Sequence, residues 1–161
     1  MSVTITYPKM KLAAQLREAG GQTVADSLAA ADANLEALRP ACLDELRGVV
    51  ATLAAASQRL ADTFDAEALQ ELYGIAARAV GVGAVSGAPG ADVALVSLCD
   101  LLDRLLNNGR WDRQAIDVHV RTLQLLAAQG DAFDAAATQR ILAGLRQVSA
   151  RHATPTVAAA S

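Results

Sequence analysis

The most regular pattern of the chain lies in residues 24–60, which read VADSLAAADANLEALRPACLDELRGVVATLAAASQRL. Apolar residues recur there at alternating intervals of four and three positions, and this spacing draws one apolar stripe along an α-helix. An unbroken helix of this length would measure about 60 Å, which exceeds a domain of this size, so a second chain would have to cover its stripe. We therefore expect a homodimer whose interface contains Val24, Leu28, Leu35, Leu38, Leu46 and Leu53.

Pro40 interrupts this pattern near its middle. A proline inside a helix costs about 3 kcal/mol and disfavours the helical conformation of the residue before it, here Arg39. The long N-terminal helix is therefore expected to be either kinked or broken near Pro40.

The composition points to helices packed on helices. Of the 161 residues 53% are hydrophobic but only 3% are aromatic, and alanine and leucine dominate. These two residues favour helices, whereas strands favour β-branched and aromatic residues. Short loops separate four further apolar patterns, which predicts an all-α fold with an antiparallel four-helix bundle at about 65–150. The predicted helices of this bundle are 65–86, 91–106, 112–129 and 134–150.

Turn and capping residues mark the ends of these helices. Asp65, Asp112 and either Asp131 or Asp134 are candidate N-caps, since a side-chain carboxylate can accept the free N–H groups of a first helical turn. Trp111 and Ile116 flank Asp112 at the spacing of a hydrophobic staple. The predicted organisation is an N-terminal helical segment at 1–62 (including a short helix at 9–18), the bundle at 63–151, and a disordered tail at 152–161.

Charge and cysteine content exclude several classes of protein. Fourteen basic and seventeen acidic residues give a net charge of −3 without a basic face, so no nucleic-acid partner is expected. The longest uncharged stretch, 79–91, is shorter than the roughly 20 residues that span a bilayer, and no signal peptide is visible. We expect a cytoplasmic protein without a membrane partner. Cys42 and Cys99 lie far apart, which predicts reduced thiols rather than a zinc site.

The sequence contains no recognisable catalytic motif. It has no nucleophile elbow, no zinc-protease motif and no phosphate-binding loop, so we expect no enzyme activity, no cofactor and no metal. Residues 81–87, GVGAVSG, resemble a dinucleotide-binding loop, but that loop must follow a strand and these residues follow a predicted helix. The glycines are better explained by the close approach of a neighbouring helix or of a partner protein.

His119 needs separate consideration because phosphotransfer domains carry their phosphoryl group on a histidine of a bundle helix. Such a histidine must be exposed and lie beside small or cationic residues. His119 shares its helix face with Leu123 and Leu126, which favours a half-buried or partner-facing histidine. Phosphorylation of His119 remains the alternative.

The third predicted helix resembles a histidine phosphotransfer motif. That pattern is approximately A-H-x-L-K-G-x-x-x-x-x-G-A, and here residues 76–81, AARAVG, are followed by Gly87 and Ala88. The alignment places Ala77 at the phosphoacceptor histidine and Val80 at the lysine before the glycine. The resemblance therefore implies a phosphotransfer-like bundle without its chemistry.

The chain as a whole is similar to the CheE-like accessory proteins of alphaproteobacterial chemotaxis operons. The segments that carry this similarity are 11–16 (KLAAQL), 20–26 (GGQTVAD), 33–36 (ANLE), 97–104 (SLCDLLDR), 109–111 (GRW) and 118–120 (VHV). The similarity implies a signalling partner protein and no particular reaction.

Together these resemblances imply a non-catalytic adaptor of a chemotaxis or two-component pathway. It would bind a response-regulator receiver domain or a histidine kinase, and its docking face would contain Arg78, Gly81, Gly83 and Gly87. Two alternatives stay open, a true phosphotransfer protein that uses His119 and a self-associating structural protein built on the apolar stripe.

Overall fold

The structure of the protein is a computed structural model, which describes residues 21–129 and 134–152. These residues form six α-helices and no strand, so the predicted all-α class is confirmed. The helices are α1 (Val24–Gln58), α2 (Ala66–Ala79), α3 (Val82–Ser86), α4 (Pro89–Asn108), α5 (Arg113–Gln129) and α6 (Ala135–Ala150). The helix predicted at 9–18 and residues 153–161 of the predicted tail lie outside the described residues.

Helix α1 runs through Pro40, so of the two predicted alternatives, a kink or a break, the break is not present. Proline has no backbone N–H, so the helix lacks one donor at this position. The chain divides into two compact units, Met1–Glu36 and Ala37–Ser161. The predicted division near residue 62 stays a prediction.

The single helix predicted at 65–86 is wrong, because the chain forms α2 and α3 there. Val80 leaves the helical conformation with ψ 128°, and Gly81 follows with φ +99°. This left-handed conformation is open to glycine and strained for other residues, so Gly81 turns the chain between the two helices. Gly87, with φ +82°, ends α3 in the same way, and Pro89 then begins α4.

Helix α4 is central to the second unit, where it packs against α2, α3, α5 and α6. Leu98 and Leu102 are completely buried, and so are the alanines Ala91 and Ala94. Because alanine side chains are small, the neighbouring helices can approach α4 closely. The part of α1 after residue 37 adds Leu46, Val50 and Leu53 to the same core.

Three aspartates cap helices as the sequence predicts. The Ala68 N–H donates to Asp65 Oδ1 at 3.1 Å, and the Ala115 N–H donates to Asp112 Oδ1 at 2.9 Å. Of the two candidates before α6, Asp134 is the cap and accepts from the N–H of Ala137. These caps satisfy N–H groups that would otherwise lack a partner at the first turns of α2, α5 and α6.

Candidate functional site

The glycine run 81–87 surrounds a carboxylate of the chain itself. Asp92 lies in the first turn of α4, and its Oδ1 accepts from the N–H groups of Gly81 and Gly83, both at 2.9 Å. Its Oδ2 accepts from the N–H of Ala84 at 2.7 Å. Backbone N–H groups at the start of a helix are those that would bind a phosphate. Here they are occupied by Asp92, which weighs against a nucleotide site.

Two of the three predicted docking glycines are constrained by the fold. A Cβ on Gly83, which is buried, would lie 2.8 Å from the Ala88 carbonyl oxygen and 2.8 Å from Asp92 Oδ1. A Cβ on Gly87 would lie 2.6 Å from Nη1 of Arg39. A side chain on Gly83 would displace the backbone of Ala88 and the carboxylate of Asp92, so the packing requires glycine there. At Gly87 the flexible Arg39 side chain can shift, and it is the positive φ of +82° that favours glycine. Gly83 is buried and has no surface for a partner, whereas Gly87 is half-buried.

The exposed part of the predicted docking face lies on α2 and in the turn that follows it. Arg78 and Gly81 are exposed, and so is Ala77, the position aligned with the phosphoacceptor histidine. Tyr73 is one turn before Ala77 and Val80 is three residues after it. Both keep large exposed fractions, 41% and 43%. Residues three and four apart share a helix face, so Tyr73, Ala77 and Val80 form one exposed, mainly apolar surface. We call this surface the α2 face.

His119 is completely buried, and both of its ring nitrogens have partners. Nδ1 lies 2.8 Å from the Ala115 carbonyl oxygen, and Nε2 lies 3.0 Å from Ser97 Oγ and 3.3 Å from Ser149 Oγ. Because a carbonyl oxygen can only accept, Nδ1 carries the proton and Nε2 of the neutral ring accepts from a serine hydroxyl. His119 is therefore a satisfied group of the interior.

The surroundings of His119 favour its neutral form. Burial lowers the pKa of His119 below its ordinary value, the bond to Ala115 partly opposes this, and His152 lowers the pKa further. Nε2 of His152 lies 3.0 Å from Asp112 Oδ2, so this residue of the predicted tail contacts the start of α5. His119 thus lacks the exposure that a phosphoacceptor needs.

Ser97, His119 and Ser149 form a polar cluster that connects α4, α5 and α6. The two hydroxyl oxygens are 3.2 Å apart, and Arg104 Nη1 donates to the Ser149 carbonyl oxygen at 2.9 Å. A serine beside a histidine can form a nucleophile and base pair. Here the buried ring is held by a backbone carbonyl and shared between two hydroxyls, so the cluster satisfies buried polar groups.

Sequence reasoning missed this cluster because its members come from three helices. Ser97 and His119 are 22 positions apart, and His119 and Ser149 are 30 positions apart. One pattern in the sequence points to the cluster, namely a polar residue at a position where apolar residues face inward. Ser149 is such a residue, because it lies one turn after the buried Leu145. Such a pattern predicts burial but cannot identify the partner.

The candidate metal ligands and thiols do not form a site. No group of three or more His, Cys, Asp or Glu residues that could hold a metal ion occurs within 21–129 and 134–152. Cys42 and Cys99 are free and half-buried. Burial raises the pKa of the Cys99 thiol, and the neighbouring carboxylate of Asp100 raises it further, which disfavours the reactive thiolate. None of the described helices combines the length and apolar character needed to cross a membrane.

The residues predicted for a dimer interface divide into two groups. Val24, Leu28, Leu35 and Leu38 are 78%, 61%, 50% and 54% exposed. We call these four residues the α1 stripe. Leu46 and Leu53 are completely buried in the core of their own chain and have no surface to offer a second copy.

The chain matches no family model, no curated protein and no solved structure.

Proposed function

We propose that this chain is a non-catalytic signalling adaptor of a chemotaxis or two-component pathway, which binds a response-regulator receiver domain or a histidine kinase. The observation that carries the proposal is the α2 face. At the position aligned with a phosphoacceptor histidine, the chain has an exposed alanine between the exposed side chains of Tyr73 and Val80. A partner that docks on phosphotransfer bundles would meet a binding surface there and no reactive group.

The chemistry of the α2 face suits a protein partner. Tyrosine and arginine are enriched among the residues that contribute most to binding at interfaces. Tyr73 supplies apolar area, and the exposed Arg78, which adjoins the α2 face, supplies a cation that can pair with carboxylates of a receiver domain. The small side chain of Ala77 allows a partner backbone or side chain to come close to α2.

The fold expected of such an adaptor belongs to the same proposal. We propose that α2, α4, α5 and α6 form an antiparallel four-helix bundle, with α3 as an added turn between α2 and α4. The packing of α4 against α2, α5 and α6 supports this arrangement. The proposal also places the protein in the cytoplasm, without membrane or nucleic-acid partners, in agreement with its net charge of −3.

Calorimetric titration tests the adaptor proposal. The full chain is titrated with the receiver domains and kinase domains encoded beside its gene, and we expect at least one to bind with micromolar affinity. Ala77→Glu should weaken that binding at least tenfold, because it places a charge in the centre of the α2 face. Ala55→Glu is the matched control, an exposed alanine of α1, and it should bind like the unmodified chain. The proposal fails if no domain binds or if both variants bind equally.

Self-association is a second candidate function, favoured by the exposure of the α1 stripe. Exposed leucines at a spacing of three and four positions are typical of helices that pair with another helix. Phosphoryl transfer through His119 has no such support, because the imidazole is completely buried and both of its nitrogens have partners.

A further inference from the structure

We infer that the α1 stripe of one copy binds a groove between α4 and α6 of a second copy of this chain. The inference rests on the proposed self-association and names the surface that receives the stripe. Two observations carry it, the acidic character of the stripe region and the basic character of the groove.

The α1 stripe lies on an acidic, amphipathic helical segment. Residues 24–38 contain Asp26, Asp32 and Glu36 and no lysine or arginine. The four apolar side chains of the stripe are half or more exposed. A helix with these properties fits an apolar surface bordered by cations.

The groove between α4 and α6 consists of two adjoining hollows of about 870 and 370 Å³, which share Val93 and Arg146. Its cations are Arg104, Arg140 and Arg146, and Asp100 is the one carboxylate among its lining residues. The groove is thus locally basic on a chain that carries a net charge of −3.

The groove also offers apolar surface. Val93 and Val96 line it and keep exposed fractions of 46% and 45%. Leucine side chains of an incoming helix would cover these valines and remove apolar area from water. The 15 residues of 24–38 span about 22 Å as a helix, and the 16 residues of α6 span about 24 Å, so the lengths match.

Charge and stoichiometry both favour a second copy as the occupant. The acidic stripe region of one copy complements the charge of the basic groove of the other. The described residues of each chain include one stripe and one groove, so a second copy supplies the complementary surface for each of them. Steering by opposite charges then depends on salt concentration.

Sedimentation velocity of the full chain at several concentrations and salt concentrations tests the inference. We expect a dimer that weakens with salt. The groove variant Arg140→Glu with Arg146→Glu should raise the dissociation constant at least tenfold, and so should the stripe variant Leu28→Ser with Leu35→Ser. All four side chains are exposed, so these changes leave the core intact. Arg121→Glu is the matched control, an exposed arginine of α5 outside the groove, and should leave the dimer unchanged.

A charge exchange makes the test specific. A chain with Asp32→Arg and Glu36→Arg should not self-associate, because its basic stripe meets a basic groove. Mixed with the groove variant, it should form a heterodimer, since both interfaces are then complementary. Recovery of the dimer in the mixture also shows that both variants are folded.

The possible results distinguish a failure of the groove assignment from a failure of the proposed self-association. A monomer under all conditions overturns both the inference and self-association. A dimer lost in the stripe variant but kept in the groove variant means pairing of stripe with stripe, which overturns the groove assignment alone. A dimer kept in both variants overturns both surfaces. The adaptor proposal is tested independently, since Ala77→Glu lies outside the stripe and the groove.

Discussion

Replacing Asp92 by alanine would remove the carboxylate that holds the connection between α2 and α4. Three backbone N–H groups, those of Gly81, Gly83 and Ala84, would lose their acceptor. We therefore expect Asp92→Ala to destabilise the protein without any ligand being present. A loss of stability in the absence of ligand would show that the glycine run serves an internal role, as opposed to the binding of an anion.

The expected magnitude follows from the exposure of the three hydrogen bonds. The bond from Gly83 is partly buried, and a bond to a charged group in such a place contributes about 1.5 kcal/mol. The bonds from Gly81 and Ala84 are exposed and contribute about 0.5 kcal/mol each, because water replaces the lost acceptor. The free energy of unfolding should therefore fall by about 2.5 kcal/mol.

Urea denaturation followed by circular dichroism measures this change. Asp103→Ala is the matched control on the same helix, since Asp103 is exposed and accepts one exposed bond from Asn107 at 3.0 Å. It should change the free energy of unfolding by less than about 0.5 kcal/mol. A loss for Asp92→Ala that is no larger than for Asp103→Ala would refute the assignment of Asp92.

Three further predictions concern the interior and the helix ends. The folded-state pKa of His119 is lowered, so the unfolded state takes up a proton first as pH falls. As the pH is lowered from about 6.5, the free energy of unfolding should decrease by up to about 1.4 kcal/mol per pH unit. Urea denaturation at each pH measures this slope, which should be smaller for His119→Gln. Equal slopes for the two proteins would contradict the prediction. Leu98→Ala should cost about 2–5 kcal/mol in denaturation experiments, against less than about 1 kcal/mol for the half-exposed Leu125→Ala, and similar costs would contradict the packing of α4. Gly109→Ala should destabilise the protein by about 1–2 kcal/mol because φ is +57° at this position. Gly144→Ala, which lies in open space within α6, should stabilise it by up to about 1 kcal/mol. The two variants should therefore shift the midpoint of thermal unfolding in opposite directions.

Features set by local chemistry could be predicted from the sequence. The caps Asp65, Asp112 and Asp134 each accept an N–H from a residue three positions later, so sequence spacing alone contains the relevant geometry. The end of α4 at Gly109 follows from the same local logic. The all-α class followed from the excess of alanine and leucine and from helical periodicity.

Features set by distant contacts could not be predicted in this way. The glycine run follows a helix, as predicted, but its partner Asp92 lies 8–11 positions away on the next helix. The helix break at Gly81 was missed because the apolar stripe continues through it. The burial of Leu46 and Leu53 depends on the core that they join, and periodicity does not distinguish an internal core from a dimer interface.

His119 is an interior group of the fold and has both ring nitrogens bonded, so it should not accept a phosphoryl group in the folded chain. The direct measurement is to incubate the full, folded chain with phosphoramidate, a small donor that phosphorylates accessible histidines, and to locate the product by mass spectrometry under non-acidic conditions. We expect no phosphoryl group on His119 in the folded chain, and modification of His119 once the chain is unfolded in urea. Phosphorylation of folded wild-type protein that disappears in His119→Gln would contradict the account.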